Sequence, residues 1–230
     1  MGPEATVLLM RKVIAATPAA DDADHIPLIV DQNPQVPSRL RYLLEGTGDD
    51  PAPVLAAMAR RLEAAGAQAL AMPCNTAHHF AGAIRAASTL PFLDMVALSA
   101  AHARDRAGAG ATIGVLASPA VRRIGLFDRA LAAHGLTAAY ADDAPLLAAI
   151  RAIKAQGATP AARAAMRDAS DQVIRAGAGM QMIACTELSL VAEAVAPQIE
   201  AFDTLDILTS AIVSFARNGA QAIPGNRPQP

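Results

Sequence analysis

The chain has 230 residues, 53% of them hydrophobic and 17% charged, with a net charge of −2. That length supports one large α/β domain or two small ones, and the near-neutral charge excludes the strong basic field that binds nucleic acid or an anionic membrane. Aromatic residues make up 3%, tryptophan is absent, and there is neither an 18-residue uncharged apolar stretch nor a basic segment leading into an apolar one; the expectation is a soluble, cytoplasmic protein with no membrane or base-stacking partner.

In chain order, helical patterns alternate with short strand-like runs, the signature of βαβ units and a mainly parallel sheet. Met1-Gly2-Pro3-Glu4-Ala5-Thr6 runs directly into a helix over Val7 to Ala16, with proline near the first helical position and glutamate in the first turn. It reads as a strand-to-helix turn without its strand, so that either the sheet lacks a member here or the true product begins further upstream. Ile26 to Val30 is expected as a strand, Pro51 to Ala65 as a helix entered through Asp49 and Asp50, and Gln68 to Met72 as the next strand. A helix from about Thr76, a short strand at Phe92-Leu93 and a helix from about Leu98 to Ala107 follow. Ala111 to Leu116 is a clear strand, Pro119 opens a helix reaching about His134, and Leu136 to Tyr140 is a weaker strand. Helices over Pro145 to Gln156 and Pro160 to Ala176 precede the strand Gly179 to Ala184. A short helix after Cys185, a strand near Ala201 and a helix over Leu205 to Arg217 complete the pattern. The tail from Ile223, with three prolines, is expected to be disordered.

Two segments hold the chain's only cysteines: Met72-Pro73-Cys74-Asn75-Thr76-Ala77-His78 and Ile183-Ala184-Cys185-Thr186-Glu187-Leu188. Each follows a short apolar run at a strand-to-helix junction, and each cysteine has a glycine eight residues upstream, Gly66 and Gly177. An acidic residue closing a short apolar segment recurs downstream, Asp94 at 20 residues and Asp203 at 18. The unit is duplicated. If the two copies face one another, both thiols stand at the C-terminal ends of their strands, where open α/β sheets bind ligands.

A thiol ionises near pH 8.5 in isolation, and a helix N-terminus with its free N–H groups lowers that value. Both cysteines are expected at such a terminus. Opposed thiols suit removal of a proton from one face of an amino-acid α-carbon and its return to the other. Asn75, Thr76 and Thr186 would supply donors to the substrate α-carboxylate, and Glu187 would receive the ammonium or orient a thiol. The competing readings are two inert buried cysteines, a disulfide, which a reducing compartment disfavours, and a zinc site using His78 and His79, whose adjacent positions on a helix point about 100° apart. With Lys12 and Lys154 the only lysines, a Schiff-base cofactor has no supporting motif.

These motifs resemble the aspartate/glutamate racemase superfamily, and within it the cofactor-independent aspartate racemase branch. The residues carrying the resemblance are Met1 to Thr6, Asn33-Pro34-Gln35-Val36-Pro37-Ser38-Arg39, Pro73 to His78, and Cys185-Thr186-Glu187. Glutamate racemases typically have histidine where this chain has Glu187, which favours the aspartate branch. The resemblance implies two pseudo-symmetric Rossmann-like α/β domains with mainly parallel sheets and the active site in the cleft between them. It places the first domain at residues 1–95, with the helix 205–217 packing back on it, and the second at residues 96–204. It implies catalysis by Cys74 and Cys185 without pyridoxal phosphate or metal, a small amino-acid substrate and a homodimer. Substrate contacts are then expected from Met1, Asn75, Thr76, Ser118, Thr186 and Glu187, with Arg39 and Lys154 on the distal carboxylate. Arginine's bidentate fork suits a dicarboxylic substrate on physical grounds alone.

Three departures stand out. The apolar strand and Gly-Gly that usually precede Met-Gly-Pro are absent, so the first strand of the N-terminal domain is expected to be missing. Ala117-Ser118-Pro119-Ala120-Val121 replaces a threonine-rich turn, removing an N–H and a hydroxyl. Ala184 stands where glycine is usual. A related diacid isomerase or decarboxylase, and an inactive amino-acid-binding relative, remain alternatives to the racemase.

Overall fold

The computed structural model describes residues 2–218. The expectations for Met1 and for the tail 223–230 lie outside the described residues. The architecture is α/β with two parallel sheets.

The chain enters α1 (Pro3–Ala16) through Pro3 at the first helical position, with Glu4 in the first turn, and buries Ala5, Leu9 and Val13 on one face. The helix begins earlier than the apolar periodicity suggests because proline and glutamate favour a first turn. Arg41–Glu45 forms a π-helical turn ended by Gly46 in the left-handed region (φ 63°), an element the sequence reading lacks. After α2 (Ala52–Ala64), β1 (Leu70–Ala71) leads into the first cysteine segment. The chain then tightens into a 3-10 turn over Thr76–Phe80 before α3 (Ala81–Ala87), rather than starting one regular helix. β2 (Phe92–Leu93) pairs in parallel with β1, Leu70 opposite Phe92. Asp94 then caps α4 (Met95–Ala107), its Oδ1 accepting from Val96 N at 3.0 Å and Ala97 N at 3.1 Å.

The second sheet contains β3 (Thr112–Ala117), β4 (Thr137–Tyr140), β5 (Met180–Ala184) and β6 (Glu200–Asp203) in the spatial order β4-β3-β5-β6, all parallel. β3 and β5 are central and buried nearly throughout, as apolar strands covered on both faces must be. The helix expected from Pro119 to His134 is two helices, α5 (Pro119–Arg123) and α6 (Leu126–Ala132), because Gly125 takes φ 59° between them. α7 (Asp143–Gln156) and α8 (Pro160–Arg175) cover one face with Ile150, Ile153, Met166 and Val173. Val96, Phe127 and Leu131 cover the other. A 3-10 segment, Leu188–Ala194, follows the second cysteine. Finally α9 (Thr204–Asn218) packs on α1 and α4, and Leu205, Leu208 and Ile212 join Leu9, Val13, Leu93 and Met95 in one cluster.

Ile26–Val30, expected as a strand, carries no secondary structure. Pro27 has no N–H to give a ladder, and no main-chain hydrogen bond holds the segment among the described residues.

Candidate active site

Because pairing within each sheet is parallel, the strands of one sheet all carry their C-terminal residues at one edge of that sheet. Cys74 follows β1, Ser118 follows β3, Cys185 follows β5, and Asp203 closes β6. Side-chain hydrogen bonds then join the two cysteine segments. Asn75 Nδ2 donates to Thr204 Oγ1 at 3.0 Å, and Thr204 Oγ1 donates to the Ile183 carbonyl at 3.0 Å, two residues before Cys185. Since the Thr204 hydroxyl gives its proton to Ile183, it can only accept from Asn75, which fixes the amide orientation. Asn75 Oδ1 is buried and meets no donor among the described residues. One of the two N–H groups of the Asn75 amide is thus engaged by Thr204, and its Oδ1 is the acceptor left without a partner among the described residues. A second link joins Thr76 Oγ1 and Ser118 Oγ at 3.1 Å.

Cys185 is buried, and its thiol donates to Glu187 Oε2 at 3.2 Å. Burial first, and then the adjacent Glu187 carboxylate, push its pKa well above the ordinary thiol value, although the Glu187 and Leu188 N–H groups favour the thiolate. The expected activation by a helix N-terminus is thus outweighed: Cys185 rests as a thiol. Glu187 Oε1 takes the Lys154 ammonium. Burial disfavours the Glu187 carboxylate, but the Lys154 charge and the hydrogen bonds from Lys154 and Cys185 outweigh it, leaving its pKa below the ordinary value. Lys154, expected on a substrate carboxylate, is an ion-pair partner of the second cysteine motif. Gly2 adjoins this pair, since a Cβ there would lie 3.1 Å from Glu187 Oε1. Thr186 is buried directly after the cysteine.

Cys74 is half-buried. Its carbonyl accepts from His78 Nδ1 at 2.9 Å, while His78 Nε2 accepts from Met95 N at 3.1 Å. Both ring nitrogens are engaged, so His78 anchors the cysteine loop to α4 and offers no nitrogen to a metal. Burial holds its pKa below the ordinary imidazole value, against the pull of Asp94. Among the described residues no group of three or more His, Cys, Asp and Glu side chains is placed to hold a metal ion. Arg39 is folded onto its own loop, Nη1 donating to Pro37 O at 2.9 Å and Val36 O at 3.2 Å, while Nε is buried without a partner among the described residues. That loop is tied to α5 by Arg123 Nη1 on the Leu44 carbonyl at 2.9 Å.

Sequence reasoning missed Thr204, whose hydroxyl connects the two halves, and the anchoring role of His78. The repeated acidic position was a signal for the first: Thr204 directly follows Asp203, where the second copy turns from strand into α9.

A parallel α/β fold with two cysteine loops joined at its strand ends defines the class to which comparison with known proteins leads. Residues 1–212 match the Asp/Glu/Hydantoin racemase family, and the chain belongs to that family. Among solved structures it is similar to an aspartate racemase from Picrophilus torridus, at 23% identity and TM-score 0.82, covering 94% of this chain and 90% of that one. An aspartate racemase homologue from Pyrococcus horikoshii OT3 is similar at 20% identity and TM-score 0.72, covering 94% and 95%. A glutamate racemase from Francisella tularensis, solved with D-glutamate, is similar at 13% identity and TM-score 0.66, covering 97% and 81%.

Proposed function

We propose that the protein is a cofactor-independent amino-acid racemase acting on aspartate, with glutamate the second substrate to test, and that Cys74 and Cys185 transfer the two protons. The observation that carries this reading is the Asn75–Thr204–Ile183 bridge, which ties the residue after Cys74 to the strand ending at Cys185. In the proposed reaction Cys74, as thiolate, removes the Cα proton while the Cys185 thiol delivers its own proton to the opposite face. The inverted product leaves Cys74 protonated and Cys185 as thiolate, and the reverse turnover or exchange with water restores the starting state.

The carbanion's charge spreads into the α-carboxylate, so the Thr76, Ser118 and Thr186 hydroxyls and nearby N–H groups are assigned there. Asn75 Oδ1 is assigned to the substrate ammonium, which supplies the donor this buried acceptor lacks. Arg39 is assigned to the distal carboxylate, turning from its loop carbonyls to a charged partner, which favours the change. Glu187 orients the Cys185 thiol, and Lys154 balances its charge. The reading treats residues 1–95 and 96–204 as the two units, with 205–217 returning to the first, in a cytoplasmic homodimer.

The test is deuterium incorporation at Cα in D₂O, measured with aspartate and glutamate for wild type, for Cys74→Ala and Cys185→Ala singly, and for the double variant that combines them. Wild type should exchange and lose optical rotation, and none of the variants should racemise. Racemisation surviving in the double variant would overturn the two-thiol mechanism, and tight aspartate binding with unchanged optical rotation in the wild type would make this a binding protein.

A further inference from the structure

The main chain of Cys74 is held on both sides. Cys74 N donates to the Met72 carbonyl at 2.8 Å, and the Cys74 carbonyl accepts from His78 Nδ1 at 2.9 Å. The opposite ring nitrogen, Nε2, accepts from Met95 N at 3.1 Å, in the first turn of α4. A carbonyl can only accept and a peptide N–H can only donate, so the ring is neutral with its proton on Nδ1. Among the described residues the charged groups that act on the ring are Asp94 and Arg85. Asp94 Oδ1 lies 3.9 Å from Nε2, but it accepts from Val96 N and Ala97 N, while Arg85 of α3 takes Oδ2. The ring is 1% exposed, and this burial keeps it neutral against the pull of Asp94. Met95, at the far end, is fully buried in the cluster that Leu93 and α9 share, so the ring ties the first cysteine to the core.

The second cysteine has a counterpart to this tether. Ser189 stands four residues after Cys185, as His78 stands four after Cys74. Ser189 N donates to the Cys185 carbonyl at 3.1 Å, and Ser189 Oγ donates at 3.0 Å to Asp203 Oδ1, which also accepts from Leu205 N of α9 at 2.8 Å. Each cysteine carbonyl is thus tied, through the fourth residue on, to the start of the helix that follows the acidic strand end. The two tethers differ in their donor. In the 3-10 turn Thr76–Phe80 the His78 N–H goes to the Asn75 carbonyl at 3.0 Å, which leaves the Cys74 carbonyl without the main-chain donor that Cys185 has. Ring Nδ1 supplies it instead.

We propose that His78 is a positioning residue of the racemisation: its neutral, Nδ1-protonated ring seats the Cys74 thiol at the distance and angle that proton removal from Cα requires. The proposal rests on the racemase reading for what Cys74 does, and not for how Cys74 is held. Cys74, Asn75 and Thr76 are consecutive, and Asn75 and Thr76 are fixed to the half that carries Cys185 through Thr204 and Ser118. His78 therefore sets where the sulfur stands relative to the groups assigned to the substrate. A reacting group displaced by about 1 Å costs about a hundredfold in rate. His78 itself touches no substrate, so its loss falls on kcat and leaves KM in place.

The test compares His78→Asn, His78→Gln and His78→Ala in the full chain. The asparagine amide N–H stands where Nδ1 stands and keeps the donor to Cys74, whereas the glutamine amide oxygen stands where Nε2 stands and keeps only the acceptor for Met95 N–H. With aspartate, kcat should fall at least about tenfold in the alanine and glutamine variants with KM within about twofold, and the asparagine variant should stay within about threefold of wild type. Tm should run the other way, glutamine above asparagine, because Met95 N is the more deeply buried of the two groups left unpaired. A kcat that follows Tm across the three variants overturns the proposal, and so does a rise in KM that accounts for the loss. Nitrogen NMR of the wild-type ring, assigned by the signals missing from His78→Asn, should show Nδ1 protonated and Nε2 not; the reverse overturns it. Iodoacetamide labelling of Cys74 in a Cys185→Ser background reads the seat without turnover: the alanine and glutamine variants should label at least about threefold faster, and asparagine at the parent rate. Equal rates in all three overturn the proposal. No racemisation by wild type, with that labelling order kept, overturns the racemase reading and not the tether.

Discussion

The Cys185 thiol donates to Glu187 Oε2 at 3.2 Å, so the second cysteine rests against a carboxylate and not against a cation. The negative charge disfavours the thiolate, and the effect is large because the thiol is buried. Replacing Glu187 by glutamine removes the charge and keeps an acceptor. In a Cys74→Ser background, Glu187→Gln should therefore lower the Cys185 pKa and raise its rate of alkylation by iodoacetamide at neutral pH by about tenfold or more. An unchanged rate would show that burial alone sets the thiol.

Thr204→Val keeps the shape of the side chain and breaks both halves of the Asn75–Thr204–Ile183 bridge. Two buried groups lose their partner, which should cost about 1–3 kcal/mol in urea unfolding. Asn75→Ala in the same background should add little, because the partners act as one unit. Full additivity of the two substitutions would show that the bridge carries no coupling.

Burial raises the Asp203 carboxyl to about pKa 6, against the Leu205 N–H and the Ser189 hydroxyl that favour its ionised form, and its Oδ2 has no partner among the described residues. An acid with a raised folded value binds its proton more tightly when folded. The resulting stability is fully present below the ordinary value of 3.8 and is lost as pH rises through about 6. The difference corresponds to about 3 kcal/mol. Asp203→Asn should flatten this decline in denaturation curves measured from about pH 4 to about pH 7; an equally steep decline in the variant would assign the effect elsewhere.

Gly114 sits in β3 where an added Cβ would lie 2.6 Å from Val173 Cγ2 and 2.9 Å from Val173 Cβ. Gly114→Ala should destabilise by about 1–3 kcal/mol through overpacking. The double variant Gly114→Ala, Val173→Ala should recover part of that loss. A neutral Gly114→Ala would mean that α8 moves away at little cost.

The central strands were legible because parallel strands covered on both faces must be apolar runs, and Ala111 to Leu116 and Gly179 to Ala184 are such runs. The cysteine segments were legible because the chain repeats the same punctuation twice, glycine, strand, cysteine and acid. Ile26–Val30 reads as a strand by composition, yet a strand requires a neighbour, and no local pattern reveals whether one is at hand. The break at Gly125 hides inside a helical periodicity, since glycine in a helix and glycine at a left-handed corner are the same letter. Lys154 enters the sequence reading through the family resemblance alone, and its contact with Glu187 depends on α7 and the loop after β5 meeting in space, 33 residues apart. Thr204 was invisible for the same reason: its two partners lie 129 and 21 residues away.

The unlike settings of the thiols, Cys185 buried beside an anion and Cys74 half-exposed, bear on kinetics under the proposed reaction. Mirror-image amino acids have equal free energy in water, so kcat/KM must be the same for both antipodes whatever the protein does. The asymmetry can surface only where that ratio is divided. One antipode will saturate at lower concentration and turn over more slowly in the same proportion, and a progress curve started from either hand will end at zero rotation.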